Sequence, residues 1–276
     1  MVRITALMDN LPSEHKALVN EHGLSYLLEM PGLRLLFDCG ATGHPLDNAR
    51  RLGLSLADLD AVALSHSHYD HAAGYRDLIE RGLGSPILYT GPHFFEKKFA
   101  YDGLIHTDLS AGFDEAFLKA HGITRKVVQG LEQIAPGVYL VSGFPRVTPF
   151  EQIPERFVRL TETGFIPDDF ADEQCLVLDR GGKLYVFVGC SHPGILNMTV
   201  HIHNLLGKPI AAVYGGTHLV EADGKRIEKT VALLRSMGLQ TLGFSHCSGS
   251  LAEEQARQEP GLGVCHLACG RSVILE

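Results

Sequence analysis

His66-Ser67-His68-Tyr69-Asp70-His71 sets three imidazoles and a carboxylate side by side, directly after the apolar run Ala61–Leu64. Neutral imidazole binds borderline transition metals, and a carboxylate adds a harder oxygen. The set therefore suits zinc, iron or manganese and not calcium, which takes all-oxygen shells. In an extended turn, alternate residues His66 and His68 can face one ion. Asp70 and His71, at the mouth of the helix that follows, can face a second ion nearby. The chain holds 15 histidines, so the question is whether others join this cluster. His192, His218 and His246 each close an apolar run, at Leu184–Val188, Ile210–Tyr214 and Thr241–Phe244. His192 projects from such a strand end, as a ligand must.

The elements that carry these residues follow from the apolar pattern. Ile4–Leu7, Leu24–Glu29 and Leu33–Phe37 read as strands, the last two joined as a hairpin through Pro31-Gly32. Leu46–Leu52 has helical spacing and stops at Gly53. Ala61–Leu64 is a buried strand, and Asp70–Arg81 reads as one helix ending at Gly82. Further strands are predicted at Ile87–Tyr89, Gly137–Val141 and Cys175–Leu178, besides the three named above. Helices fit Ile195–Leu206 and Lys225–Met237. Hairpins first and strand–helix alternation later predict two sheets covered by helices, in one domain spanning residues 1–276. Gly91 to Gly130 is the least regular stretch and reads as an insertion that shapes a pocket or merely covers the core.

Composition narrows the function. Net charge is −8, from 32 acidic and 24 basic residues, which removes the whole-chain basic footprint of a nucleic-acid binder. No apolar run reaches the length of a membrane span. Met1–Asn10 lacks the layout of a secretory signal. The six cysteines (Cys39, Cys175, Cys190, Cys247, Cys265 and Cys269) are dispersed rather than framed as disulfides, which predicts a cytoplasmic protein with free thiols. Cys265-His266 with Cys269 reads as part of a C-terminal strand.

His-x-His-x-Asp-His after a buried strand resembles the signature of the metallo-β-lactamase superfamily. Phe37-Asp38-Cys39-Gly40 looks like that family's Asp-x-Gly turn, and Ala61–Gly74 like its signature segment. Downstream, Asp168–Val177, Val188–Gly194, Gly215–Leu219 and Ser245–Gly249 are similar to one branch. So are Glu21–Ser25 and Gly143–Arg146. This is the branch of the 7,8-dihydropterin-6-methyl-4-(β-D-ribofuranosyl)aminobenzene 5′-phosphate synthases. The resemblance implies an α/β (α+β) fold of the αββα sandwich type, with two mixed β-sheets flanked by helices and a metal site at one edge. It implies two divalent metal ions, zinc first, with iron, manganese or magnesium as alternatives.

On that pattern His66, His68 and His192 hold the first metal; Asp70, His71 and His246 hold the second. The sequence lacks the superfamily's usual bridging Asp. Cys190 stands in its place, either as a thiolate ligand or as a small packing residue, and Asp172 is another carboxylate donor. His218 is a proton donor, a holder of substrate phosphate, or a partner that orients a ligand. His22 has the same readings. Arg146 is a phosphate clamp or a solvated surface residue. His15, His44, His93, His106, His121, His201, His203 and His266 carry no site signal; His201 and His203 fall on different helix faces.

The chemistry implied is hydrolysis of a small phosphorylated or ester substrate by metal-bound hydroxide, with Asp70 orienting the nucleophile. The branch implies instead a condensation that joins a pterin carbon to a ribofuranosylaminobenzene phosphate and releases pyrophosphate. Two alternatives remain: a nucleic-acid phosphodiesterase, against which the net charge stands, and a non-catalytic metal-binding sensor.

Overall fold

The computed structural model describes every residue except position 15, so that histidine lies outside the described residues. The chain opens with β1 (Val2–Met8), β2 (Ser25–Met30) and β3 (Leu33–Phe37). It continues through α1 (His44–Arg51), β4 (Ala61–Ala63), α2 (Tyr69–Ala72), α3 (Gly74–Glu80) and β5 (Ile87–Thr90). Next come β6 (Lys97–Tyr101), β7 (His106–Asp108), α4 (Glu115–Ala120) and β8 (Thr124–Val127). Then follow β9 (Leu131–Ala135), β10 (Val138–Ser142), β11 (Phe157–Thr161), β12 (Gly164–Pro167), β13 (Gln174–Arg180) and β14 (Lys183–Val188). The last part comprises α5 (Ile195–Leu206), β15 (Ile210–Gly215), α6 (Gly224–Ser236), β16 (Thr241–Phe244), α7 (Ser250–Ala256), β17 (Gly263–His266) and β18 (Ser272–Leu275).

Among the described residues these strands form two seven-stranded sheets and one of four strands. The first sheet runs β18-β1-β2-β3-β4-β5-β8 and the second β17-β16-β15-β14-β13-β10-β9. Both are mixed. β3, β4, β5 and β8 are parallel neighbours in the first; β14, β15, β16 and β17 are parallel neighbours in the second.

Three apolar cores stack the layers. Ile4, Tyr26, Leu28 and Phe37 of the first sheet meet Leu140, Leu176 and Phe187 of the second. On the outer face of the first sheet, Leu36, Val62 and Leu88 pack on Leu46, Ala49, Tyr75 and Leu78 of α1 and α3. On the outer face of the second, Val186, Val213 and Leu242 pack on α5, α6 and α7 through Met198, Ile227, Leu234 and Ala252. Because both faces of each central strand are covered, those strands are near-continuous apolar runs. The result is the expected αββα sandwich.

Two expectations need correction. The helix over Asp70–Arg81 is two pieces, α2 and α3, separated at Ala73. The Asp70 carbonyl accepts from the Leu24 N–H (3.2 Å), and the Gly74 N–H donates to Gly40 (3.0 Å), so the helical ladder is diverted to the turn after β3. Gly74 is needed there, since a Cβ would lie 2.1 Å from the Cys39 carbonyl oxygen.

The second correction is a third sheet, β12-β11-β6-β7, which was not anticipated. Half of it comes from the stretch read as irregular. β6 (KKFAY) and β7 (HTD) have no apolar alternation; they pair with each other, and β6 also pairs with β11, far along the chain. The same stretch borders a cleft of about 560 Å³ lined by Phe94, Phe95, Phe113, Phe117 and Arg76.

Candidate metal centre

The centre forms where the strand ends of the two sheets meet. β4 ends at Ala63, and the loop Leu64–His68 carries His66 and His68 out of the first sheet, with Asp70 and His71 on α2. The second sheet sends one histidine from each of three parallel neighbours: His192 after β14, His218 after β15 and His246 after β16. Gly189 lets the sheets touch under the site; a Cβ there would lie 2.1 Å from Ser65 Oγ. Asp38, Phe170, Ser191, His218 and His246 have φ of 61°, 50°, 61°, 49° and 52°. Each such non-glycine conformation costs on the order of 1–3 kcal/mol and persists only where surroundings impose it.

Two clusters result. In the first, the rings of His66, His68 and His192 lie 4.7–5.0 Å apart, centroid to centroid. In the second, His71 Nε2 and His246 Nε2 are 3.1 Å apart. Asp70 Oδ2 lies 3.2 Å from His246 Nε2 and 3.8 Å from His71 Nε2. A tetrahedral ion bound at about 2.0–2.1 Å sets its nitrogen ligands about 3.3 Å apart, so the second spacing suits a cation.

The outer nitrogens decide what the inner ones offer. Ser65 Oγ donates to Asp38 Oδ2 (2.7 Å), which leaves it to accept from His66 Nδ1 (2.9 Å). His192 Nδ1 donates to Glu173 Oε2 (3.0 Å), and His71 Nδ1 to Asp38 Oδ2 (2.7 Å). Asn10 Nδ2 donates to the His246 carbonyl, so Asn10 Oδ1 accepts from His246 Nδ1 (2.8 Å). In its neutral form each of these rings turns a bare Nε2 inward, as a metal ligand does. Nε2 of His66 and of His68 are buried and have no hydrogen-bond partner among the described residues. Orphaned buried polar atoms are rare; a cation would supply the missing partner, and the donors present fit a metal.

Electrostatics separates the clusters. Burial pushes His66, His68 and His192 well below the ordinary imidazole range, so they are neutral at pH 7. For His71, burial is outweighed by the Asp38 and Asp70 carboxylates, which raise it to about 9. Burial alone would raise Asp70; facing His71, with bonds to His22 and His246, it is held well below the usual carboxylate range. Burial and neighbouring Asp172 push Glu173 up to about 8. Glu173 nevertheless accepts three N–H bonds, from Ser191 N, His192 N and His192 Nδ1, the coordination of a carboxylate. A cation on His192 would pull the carboxyl down further and keep it ionised.

Cys190 lies between the clusters, its Sγ 3.1 Å from His71 Nε2. Its donor atom is within 4.8 Å of those of His66 and His71, and also of those of His246 and Cys247. Asp172 is elsewhere: Oδ1 accepts from buried Lys98 (2.5 Å) and Oδ2 from the Ser67 N–H (2.9 Å). His218 packs beside His192 (4.6 Å) and Phe157 (5.8 Å). Burial pushes it down to about 4 despite Glu221 nearby, so it is neutral at pH 7. His22 is exposed at the rim; its Nδ1 accepts from Asn10, so its Nε2–H donates to Asp70 Oδ2 (3.0 Å). Arg146 donates to the Asp169 carbonyl and is exposed.

Sequence reading missed the outer residues Asp9, Asn10, Ser65 and Glu173, and also Cys247. Asp38 and Glu173 stood within quoted motifs but are ordinary acids in a sequence; only their contacts distinguish them. His266, read as background, joins Asp9 Oδ2 (2.8 Å) to Glu253 (3.0 Å), and Asp9 Oδ1 holds the His246 N–H (2.6 Å). The other described histidines of that group stay away from the centre: His44 pairs with Glu21, His93 with Glu96, and His106 stacks on Phe165. His121 and His203 bond backbone carbonyls, and His201 packs on Phe144.

Residues 19–194 match the Metallo-beta-lactamase superfamily. A 7,8-dihydropterin-6-methyl-4-(beta-D-ribofuranosyl)-aminobenzene-5'-phosphate synthase of Methanocaldococcus jannaschii is 27% identical, over 94% of this chain and 91% of that protein. Among solved structures, Tm1679, described as a metal-dependent hydrolase of the beta-lactamase superfamily, aligns with a TM-score of 0.83. It is 26% identical and covers 100% of this chain and 99% of that one. A diphosphatase from the PhnP family shares the fold, with a TM-score of 0.55 at 14% identity over 100% and 98% of the two chains.

Proposed function

The chain belongs to the metallo-β-lactamase superfamily, a fold that implies divalent metal ions, and from that premise we propose a metal-dependent hydrolase of a small phosphorylated or ester substrate. The observation that carries this reading is the set of inward-facing Nε2 atoms, two of them buried without a partner. His66, His68 and His192 would hold one divalent ion; Asp70, His71 and His246 would hold a second. We take zinc as the natural occupant of an imidazole-rich set. Such ions supply positive charge at an attacked carbonyl or phosphoryl oxygen and activate water at neutral pH.

The remaining steps fall to the chain. Asp70, kept ionised, accepts a hydrogen from the attacking water and orients it, while the His22 N–H fixes the carboxylate. His218, neutral and beside His192, donates an N–H bond to a substrate oxygen. Phe157 and Phe170 wall the first cluster, Phe170 stacked on His192 at 3.8 Å, and limit water. Arg146, exposed and bonded to the Asp169 carbonyl, is one candidate cation for substrate phosphate. Arg156, set over Phe157 at 4.0 Å, is a second guanidinium on that side. The net charge of −8 favours a small molecule over nucleic acid as substrate. Free thiols suit a cytoplasmic setting.

Whole-length similarity to the synthase supports a second reading, condensation of a pterin diphosphate with release of pyrophosphate. A panel of phosphodiesters, phosphomonoesters, lactones and pterin diphosphates separates the two. The hydrolase reading predicts turnover on the first three that falls more than about 100-fold in His68→Ala. Undiminished turnover in that variant, or a purified protein that takes up no transition metal, overturns the proposal.

A further inference from the structure

Lys98 is a buried cation with no part in the steps proposed for hydrolysis. It stands on β6 of the third sheet and is 2% exposed. Its Nζ donates to Asp172 Oδ1 (2.5 Å), lies 3.2 Å from Asp168 Oδ2 and sits 4.5 Å from the centre of the Phe170 ring. Burial works against its charge, but the two carboxylates outweigh burial and raise the group above the ordinary lysine value, so it is an ammonium. Its partners lead to the first cluster. Asp172 Oδ2 accepts the N–H of Ser67, the residue between His66 and His68 (2.9 Å). Phe170 stacks on His192 at 3.8 Å and meets the His68 ring at 5.2 Å. Asp168 Oδ1 accepts the Phe170 N–H (2.8 Å), beside the φ of 50° at that residue.

We propose that Lys98 is a positioning residue for the first cation position: from the third sheet, through Asp172 and Phe170, it fixes the His66–His68 loop and the His192 ring. The proposal rests on the metal-centre reading above and ties the third sheet to it. A buried ammonium near a cation site repels the cation, so charge alone gives no reason for its presence. Geometry gives one. Without the ammonium, Asp168 and Asp172 repel each other with no buried partner to satisfy them. Asp172 then leaves Ser67, and the loop loses the bond that sets its two ligands. The second cluster is held differently, His71 by Asp38 and His246 by Asn10. Asp172 is thus a strut and not a ligand, with one oxygen on the lysine and the other on the loop.

Zinc titration calorimetry of the metal-stripped protein tests this, because charge and geometry predict opposite signs. Charge alone predicts that Lys98→Met tightens zinc binding. Positioning predicts that it weakens one of the two equivalents by about 10–100-fold and leaves the other unchanged. Lys98→Arg, which keeps a cation between the carboxylates, recovers most of the loss. In His192→Ala, which retains the second position alone, adding Lys98→Met changes nothing further. The pair Lys98→Met with Asp168→Asn covers the case in which Lys98→Met does not fold. It removes one charge of each sign, eases the repulsion and keeps an acceptor for the Phe170 N–H. Charge alone predicts no change there, and positioning predicts the same selective loss.

Zinc binding that is tighter or unchanged in these variants overturns the inference while leaving the metal centre standing. So does an equal loss at both equivalents that Lys98→Arg fails to recover, the mark of a general loosening of the fold. An unaltered protein that binds no zinc overturns the metal-centre reading itself.

Discussion

The two sheets furnish the centre in opposite ways. The first supplies four donors from one short loop and helix start, His66, His68, Asp70 and His71, all after β4. The second supplies one histidine from each of three strands, 26 to 28 residues apart in the chain but adjacent in space because β14, β15 and β16 are parallel neighbours. A local cluster needs only a turn of the right shape. A distributed one needs the sheet, since parallel strands bring their carboxyl ends to the same edge. Each side also has its own buried acid: Asp38 serves Ser65 and His71, and Glu173 serves Ser191 and His192.

If both sheets contribute equally, removing one ligand from either does similar harm. His68→Ala and His192→Ala each lower turnover by more than about 100-fold and lose one equivalent of metal by elemental analysis. Full metal content and activity in His192→Ala would confine the centre to the first sheet.

Next in size are the acids behind the ligands. Asp38→Asn and Glu173→Gln weaken metal binding about 10–100-fold by calorimetry, because the Nδ1–H partner that fixes the ring is changed. Asp38→Asn acts chiefly on the second position and Glu173→Gln on the first. Equal loss at both positions in either variant would merge the two clusters into one unit.

The pH response sharpens the contrast. His71, raised to about 9, must lose a proton before a cation binds, so affinity at the second position climbs by about tenfold per pH unit up to about 9. His66, His68 and His192 lie below the ordinary range, so the first position is flat above neutrality. Titrations at several pH values with parallel slopes would refute the difference.

The smallest effects are on stability. His266 loses by burial but gains more from Asp9 and Glu253, so its folded-state pKa is raised. Its stabilising contribution is complete below the ordinary histidine value and fades as pH rises through the higher folded one. The gap in unfolding midpoint between the unaltered protein and His266→Gln therefore narrows at alkaline pH; a gap that widens reverses the sign. Tyr26→Phe, which removes the bond to Ser245 Oγ (2.8 Å) beneath the His246 turn, costs about 1 kcal/mol in denaturant unfolding.

Much of the fold was legible. The strands at Leu33–Phe37 and Thr241–Phe244 and the helix Ile195–Leu206 fall where the apolar pattern puts them, since their buried faces repeat over adjacent residues. β6, β7, β11 and β12 were not, because the hairpins β6–β7 and β11–β12 are joined only by the distant β6–β11 pairing and their side chains are largely half-buried or exposed.

For the centre, residue types alone singled out the histidines, because so many ligand-type side chains after one buried strand seldom serve packing. The tertiary structure decided what faces them. Asp9, Asp38 and Glu173 acquire meaning only by burial against a ring nitrogen, and Cys247 only by its approach to Cys190. Composition and spacing act along the chain, whereas hydrogen-bond direction and sulfur–sulfur contact arise between strand ends that the fold alone brings together.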